Sequence, residues 1–184
     1  MAAVALSLEI VTPKGVALRT DVDEVVAPGV RGEFGLMPGH LPMLAALHIG
    51  ILHFKKQNDG DMIDVAVGSG FVEMLGDRAL VLTDRFITKE QIDVLVVRER
   101  LRAVDEELEQ WQGELDDPKR LELIEEEQWL AAQLEVYGDP PVARVLEQRR
   151  AIDYAAVLPS AAALEETAAD DDGAEASKGG HEHG

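Results

Sequence analysis

Apolar residues recur at every second position through the first half of the chain and at every third or fourth in the stretch that follows. "ALSLEIVT" sets Leu6, Leu8 and Ile10 on one side of a strand. "VALRT" and "VDEVVAP" continue the pattern, and "IGILHFKKQ" carries it through Ile49, Ile51 and, after a shift, Phe54. "QNDGDM" is a hairpin turn, because Asn58, Asp59 and Gly60 tolerate left-handed backbone angles; the strand "MIDVAV" leaves it with Ile63, Val65 and Val67 on one side. A second turn at Gly76 and Asp77 separates "FVEML" from "RALVLTD", in which Leu80 and Leu82 alternate with Ala79, Val81 and Thr83. Runs apolar on both faces suit a strand in a sandwich core. Short strands punctuated by turns about every ten residues predict an antiparallel β-sandwich or barrel.

The period changes at Thr88, which reads as an N-cap with Glu90 and Gln91 in the first turn. Val97, Leu101, Val104, Leu108, Trp111 and Leu115 form one stripe of a helix reaching about Gln112. Gly113 and "ELDDPKR" interrupt it, and Asp117 before Pro118 starts a second helix running to Tyr137. Its stripe of Leu123, Leu130, Leu134 and Tyr137, flanked by Ile124 and Ala131, faces the first helix in an antiparallel hairpin closed by Gly138 to Pro141. Beyond the prolines, "VARVLEQRRAIDYAAVL" predicts one more short helix ending at Pro159. "EETAADDDGAEASKGGHEHG" has too little apolar bulk to order itself and reads as a disordered acidic tail. The expected organisation is a β-sandwich over 1–87, a helical hairpin over 88–138, an extra short helix within 139–160 and a tail over 161–184.

Charge sharpens that division. The 184 residues carry 36 acidic and 17 basic side chains, a net charge of −19. Residues 1–87 hold 11 acidic and 7 basic residues, and residues 88–184 hold 25 and 10, so the excess lies almost entirely in the second part. Such a field repels phosphate backbones and anionic lipid surfaces, which argues against nucleic acid as a partner. With no cysteine, thiolate nucleophiles, thiolate metal sites and disulfides are excluded together. "MAAVALSLEIV" lacks a basic leader and falls well short of the roughly 20 apolar residues of a membrane span, so it reads as a first strand, in a chain made and used in a bacterial-type cytoplasm with no direct membrane insertion.

Few residues offer chemistry. Ser7 and Ser69 occupy strand and turn contexts, and "GSGF" lacks the spacing of a nucleophile elbow. His40, His48, His53, His181 and His183 show no metalloprotease spacing, and the terminal "HEHG" cannot fix a coordination geometry. Gly29, Gly32, Gly35 and Gly39 are not followed by the G-K-[ST] of a phosphate loop. Carboxylates such as Glu106, Glu107 and Glu125 to Glu127 read as a solvated helix face. No catalytic, metal or cofactor site is expected. The loop "RGEFGLMPGHLPML" remains: its glycines and prolines make it rigid, and Phe34, Leu36, Met37, Leu41 and Met43 are more apolar bulk than one loop buries by itself. It serves either as a crossover between sheets or as a binding surface.

"LEIVTPKG" at 8–15, "GEFGLMPGHLPML" at 32–44 and "GSGFVEM" at 68–74 give the chain, over roughly residues 4–112, a resemblance to the ε subunit of bacterial F-type ATP synthase, the equivalent of mitochondrial δ. The resemblance implies a β-sandwich of about ten strands followed by a two-helix hairpin. It also implies a non-catalytic central-stalk subunit that links the γ subunit to the c-ring on the cytoplasmic face of the bacterial inner membrane. Glu33 matches the acidic position facing the ring loops, and His40 the histidine near γ. The hairpin would meet the catalytic α and β subunits conditionally and so regulate ATP hydrolysis. Some family members bind ATP through I/L-D-x-x-R-A; here Ile92 and Asp93 remain, but Val96 and Val97 replace Arg and Ala. Arg98, one residue on, points about 100° away around a helix and is a poor substitute. The family's second helix is typically basic, whereas residues 117–137 carry Asp117, Glu122, Glu125, Glu126, Glu127 and Glu135 against Lys119 and Arg120, which implies weak or altered inhibition, with Arg144, Arg149 and Arg150 as replacements. A β-sandwich adaptor or acidic chaperone is the structural alternative, and a small nucleotide-binding hydrolase the enzymatic one.

Overall fold

A computed structural model describes residues 5–57 and 60–141. Asn58 and Asp59 of the expected hairpin turn, the expected helix after Pro141, Arg144, Arg149, Arg150 and the acidic tail lie outside the described residues. In chain order the elements are β1 (Leu6–Thr12), β2 (Gly15–Gly29), β3 (Gly32–Leu36), β4 (Met43–Leu47), β5 (Gly50–Lys56), β6 (Met62–Val67), β7 (Gly70–Leu75), β8 (Arg78–Thr83), β9 (Phe86–Thr88), a 3-10 turn (Lys89–Gln91), α1 (Val94–Glu109) and α2 (Pro118–Tyr137).

Among the described residues nine strands stand where about ten are expected, and "VALRT" and "VDEVVAP" are one long strand. The first half of β2 pairs with β1, and its second half with β3 and β5; a register shift between Val22 and Glu24 marks the changeover. A bulge of this kind bends a strand, letting β2 serve both layers of the sandwich. One layer runs β2-β1-β8-β7-β4 and the other β3-β2-β5-β6-β9. All pairings are antiparallel except β1 with β8, which is parallel. Leu6, Leu8, Ile10, Val25, Leu52, Phe54, Val65, Val72, Met74 and Val81 fill the space between the layers.

The hairpin builds a second core on the outside of the β5–β6 layer. Ile49 and Ala66 from the sandwich join Ile92, Val97, Leu101 and Val104, together with Leu123, Leu130, Leu134 and Val136 of α2. Ile51 therefore faces the helices while Leu52 and Phe54 face the sandwich core, so both faces of β5 are covered. The expected stripe on α2 is incomplete for the same reason. That helix lies between α1 and the sheet, burying Ala132 and Val136 besides the expected leucines, Ile124 and Ala131, while Tyr137 is exposed.

Two boundaries differ from expectation. α1 starts at Val94, not near Thr88, because the Asp93 carboxylate accepts from the N–H groups of Leu95 (3.2 Å) and Val96 (3.3 Å). Thr88 closes the 3-10 turn instead, its N–H donating to the Gln91 side chain at 3.1 Å. α1 also ends at Glu109, which leaves Leu115 exposed in the connection and off the stripe. α2 begins as predicted, with Asp117 accepting from Lys119 N–H at 2.8 Å ahead of Pro118, and Gly138 ends it.

Candidate functional site

The layer β2-β1-β8-β7-β4 points one face into the core and leaves the other open. Register fixes which residues share the open face: Val16, Val11, Leu82, Phe71 and Ala46 form one row across the strands, and Arg19, Glu9, Leu80, Glu73 and Leu44 the next. Leu44 is 71% exposed, Leu75 63%, Phe71 53% and Leu82 46%. An apolar face this open is ordinarily a contact surface. Sequence reasoning assigned "RALVLTD" and "FVEML" to a core with both faces covered; the structure covers Ala79, Val81, Val72 and Met74 and leaves Leu82, Phe71 and Leu75 outside. The signal is the doubly apolar strand itself, whose second face no described residue covers.

A charge cluster is set into this face. Glu9, only 7% exposed, accepts from Arg19 Nη2 at 2.5 Å and from Arg78 Nη2 at 2.8 Å. The Arg19 hydrogen bond, then that of Arg78, holds the Glu9 carboxyl below its ordinary pKa. Two neighbouring strands are thereby tied across β1.

The loop after β3 borders the same face. Gly39, at φ 79°, turns the chain in the left-handed region that glycine adopts without strain, and its N–H donates to Asp77 Oδ1 at 3.1 Å in the β7–β8 turn. His40 is exposed; its N–H reaches the Met37 carbonyl at 3.1 Å and its Nδ1 lies 2.9 Å from the Leu41 carbonyl. Met37 and Leu41 are exposed as well, next in sequence to the open face at Leu44. Glu33, also exposed, stands at the other end of β3, opposite Pro28. Three steps of β3, about 10 Å at 3.3 Å per residue, separate Glu33 from Leu36, and His40 follows in the loop beyond. Glu33 thus stands on a strand paired with β2, and His40 in a loop held to the β7–β8 turn.

The remnant of the nucleotide motif has other employment. Ile92 is buried in the hairpin core, Asp93 caps α1, and Arg98 donates to Asp139 Oδ2 at 2.6 Å. Nor are the helix carboxylates all a solvated face: Glu127 is 1% exposed, and Glu126 is engaged by Arg100. Among the described residues no cluster of His, Asp and Glu is arranged to hold a metal ion, and no helix is long and apolar enough to cross a membrane.

Residues 5–89 match the family model "ATP synthase, Delta/Epsilon chain, beta-sandwich domain". The ATP synthase epsilon chain of Thermodesulfovibrio yellowstonii is 41% identical over 112 residues, which span 60% of this chain and 79% of that one. The chain belongs to the ATP synthase epsilon family. The epsilon chain of Desulforamulus reducens is 42% identical over 103 residues, 56% of this chain and 74% of its own. In fold, the chain is similar to one in the Euglena gracilis mitochondrial ATP synthase, OSCP/F1/c-ring assembly, with a TM-score of 0.60 at 18% identity over 72% of this chain and 80% of that one. As an epsilon-family member it is a non-catalytic stalk subunit of ATP synthase.

Proposed function

We propose that this epsilon-family chain stands at the foot of the γ subunit and on the polar loops of the c-ring, on the cytoplasmic face of a bacterial inner membrane, and carries rotation between ring and catalytic head. The observation that carries this reading is the open apolar face of the sandwich at Leu44, Phe71, Leu75 and Leu82, which the described residues leave exposed to water. γ is the partner assigned to that face, with the loop at His40 as its border. Glu33, at the far end of β3, is assigned to the ring loops, where a well-formed charge-assisted hydrogen bond contributes about 1.5–3 kcal/mol. Residues 1–87 are the docking part and residues 88–138 the part that meets the α and β subunits conditionally. Ile92 and Asp93 are given no nucleotide role.

Affinity capture of the tagged chain from detergent-solubilised membranes tests the assignment: γ and c subunits should elute together with it. Glu33→Lys should weaken retention of the ring while the purified variant keeps its circular dichroism spectrum. Loss of the fold in that variant would make Glu33 a structural residue, and capture of unrelated clients with no γ would remove the reading.

A further inference from the structure

Three contacts hold the helical hairpin: two lie at the groove between α1 and α2, and the third at the exit of α2. Arg100 of α1 holds Glu126 of α2 in a bidentate pair, Nε to Oε1 at 2.6 Å and Nη2 to Oε2 at 2.7 Å. Arg98, two residues earlier on α1, donates to Asp139 just past the end of α2. Arg85, in the connection between β8 and β9, lies over the Trp129 ring at 5.9 Å from its centroid, and Trp129 is the residue three on from Glu126. The three arginines come from the sandwich connection and from α1; all three partners lie on α2 or its exit. The groove at the Arg100–Glu126 and Arg85–Trp129 contacts is about 640 Å³ and is lined also by Val96, Val97 and Leu130.

Packing explains why this cluster matters more than scattered surface pairs. α2 rests on β5 and β6, whereas α1 packs principally on α2, so α1 is held to the body of the protein through its partner helix. Contacts that tie α1 to the middle and the exit of α2, and α2 to the sandwich, therefore bear on whether the hairpin stays closed. Planar bidentate geometry is the case in which an exposed ion pair contributes measurably, and several charges acting together add to it.

We propose that Arg85, Arg98 and Arg100, closing on Trp129, Asp139 and Glu126, form an electrostatic latch that holds the hairpin shut on the sandwich by the chain's own charges, without a bound ligand, and that ionic strength releases it. The charged groups around Glu126 are Arg100 and, through it, Glu107 at 4.0 Å on α1; Arg85 with its neighbour Asp84 at 3.3 Å on the sandwich side; and Glu122 on its own helix, which lines the same groove. Arginine hydrogen bonding also keeps Glu126 ionised below the ordinary carboxylate range, so the latch stays charged at any neutral or mildly acidic pH and is sensitive to salt rather than to protons. The inference concerns the hairpin alone and is independent of how the sandwich docks.

Hydrogen–deuterium exchange on the full chain tests it, with β7 and β8 as internal control. Arg100→Gln and Glu126→Gln should each speed exchange in α1 and α2 by about three- to fivefold, and the double variant should be no faster than either single one. Raising sodium chloride from 0.05 to 1 M should speed the same amides more in the wild type than in the double variant, which keeps only the Arg98–Asp139 and Arg85–Trp129 contacts. Additive effects of the two substitutions, or equal salt responses in wild type and double variant, would overturn the proposal. Faster exchange in β7 and β8 as well would also count against it, as general destabilisation.

Discussion

Glu9 shows how much one side chain can organise on a strand face. It sits among exposed apolar neighbours yet is itself nearly covered, because Arg19 and Arg78 close over it from β2 and β8. Its pKa is lower folded than the usual value of 4.5. The stability it contributes is therefore fully present above that value and is lost as pH falls through it toward the folded pKa. Thermal melts between pH 6 and pH 3 should show a falling midpoint in the wild type and a shallower fall in Glu9→Gln. Gly70 is a second decisive residue: a Cβ there would run into the Leu82 carbonyl where β7 pairs with β8. Gly70→Ala should cost about 1–3 kcal/mol, read as a lowered midpoint in urea. The glycine is visible in "GSGF"; the close approach that requires it is not, since Leu82 is twelve residues away in sequence and becomes a neighbour only when the strands pair.

Among the elements, those with one buried face were legible and those with two were not. β1 alternates cleanly, and Leu6, Leu8 and Ile10 are buried as its pattern predicts. β5 and α2 are each covered on both sides, so their apolar residues are spread around the element, and a single stripe on α2 leaves out the buried Ala132 and Val136 and includes the exposed Tyr137. β8 is the reverse case, apolar on both sides with only one covered inside the chain. The helix boundary was misplaced because Thr88 and Asp93 are both good caps five residues apart, and only the intervening 3-10 turn decides between them. α2 also bears on regulation. Besides its excess of carboxylates, its outer surface is drawn inward by the pairing of Glu126 with Arg100. Removing residues 114–184 should leave ATP hydrolysis by the assembled enzyme within about twofold of its starting rate. A large activation, measured by phosphate release, would mean that the hairpin inhibits strongly after all.

For the whole molecule, the net charge of −19 and the absence of cysteine narrowed the partners, and the "GEFGLMPGHLPML" resemblance named the family, but neither revealed which surface does the work. That surface emerges from register, because Leu44, Phe71, Leu75 and Leu82 come from three strands and share a face only once the layer is assembled. The hairpin covers the opposite layer of the sandwich through β5 and β6, leaving this one free. On the proposed reading one layer docks, while the other carries the helices of the hairpin. The dissociation constant of the chain for an ATP synthase complex stripped of this subunit measures the claim most directly, with wild type compared against Phe71→Asp/Leu82→Asp. The double variant should keep its melting midpoint and bind at least about tenfold more weakly, as loss of a buried apolar anchor ordinarily causes. Unchanged affinity in a folded variant would contradict the assignment of this face to the stalk.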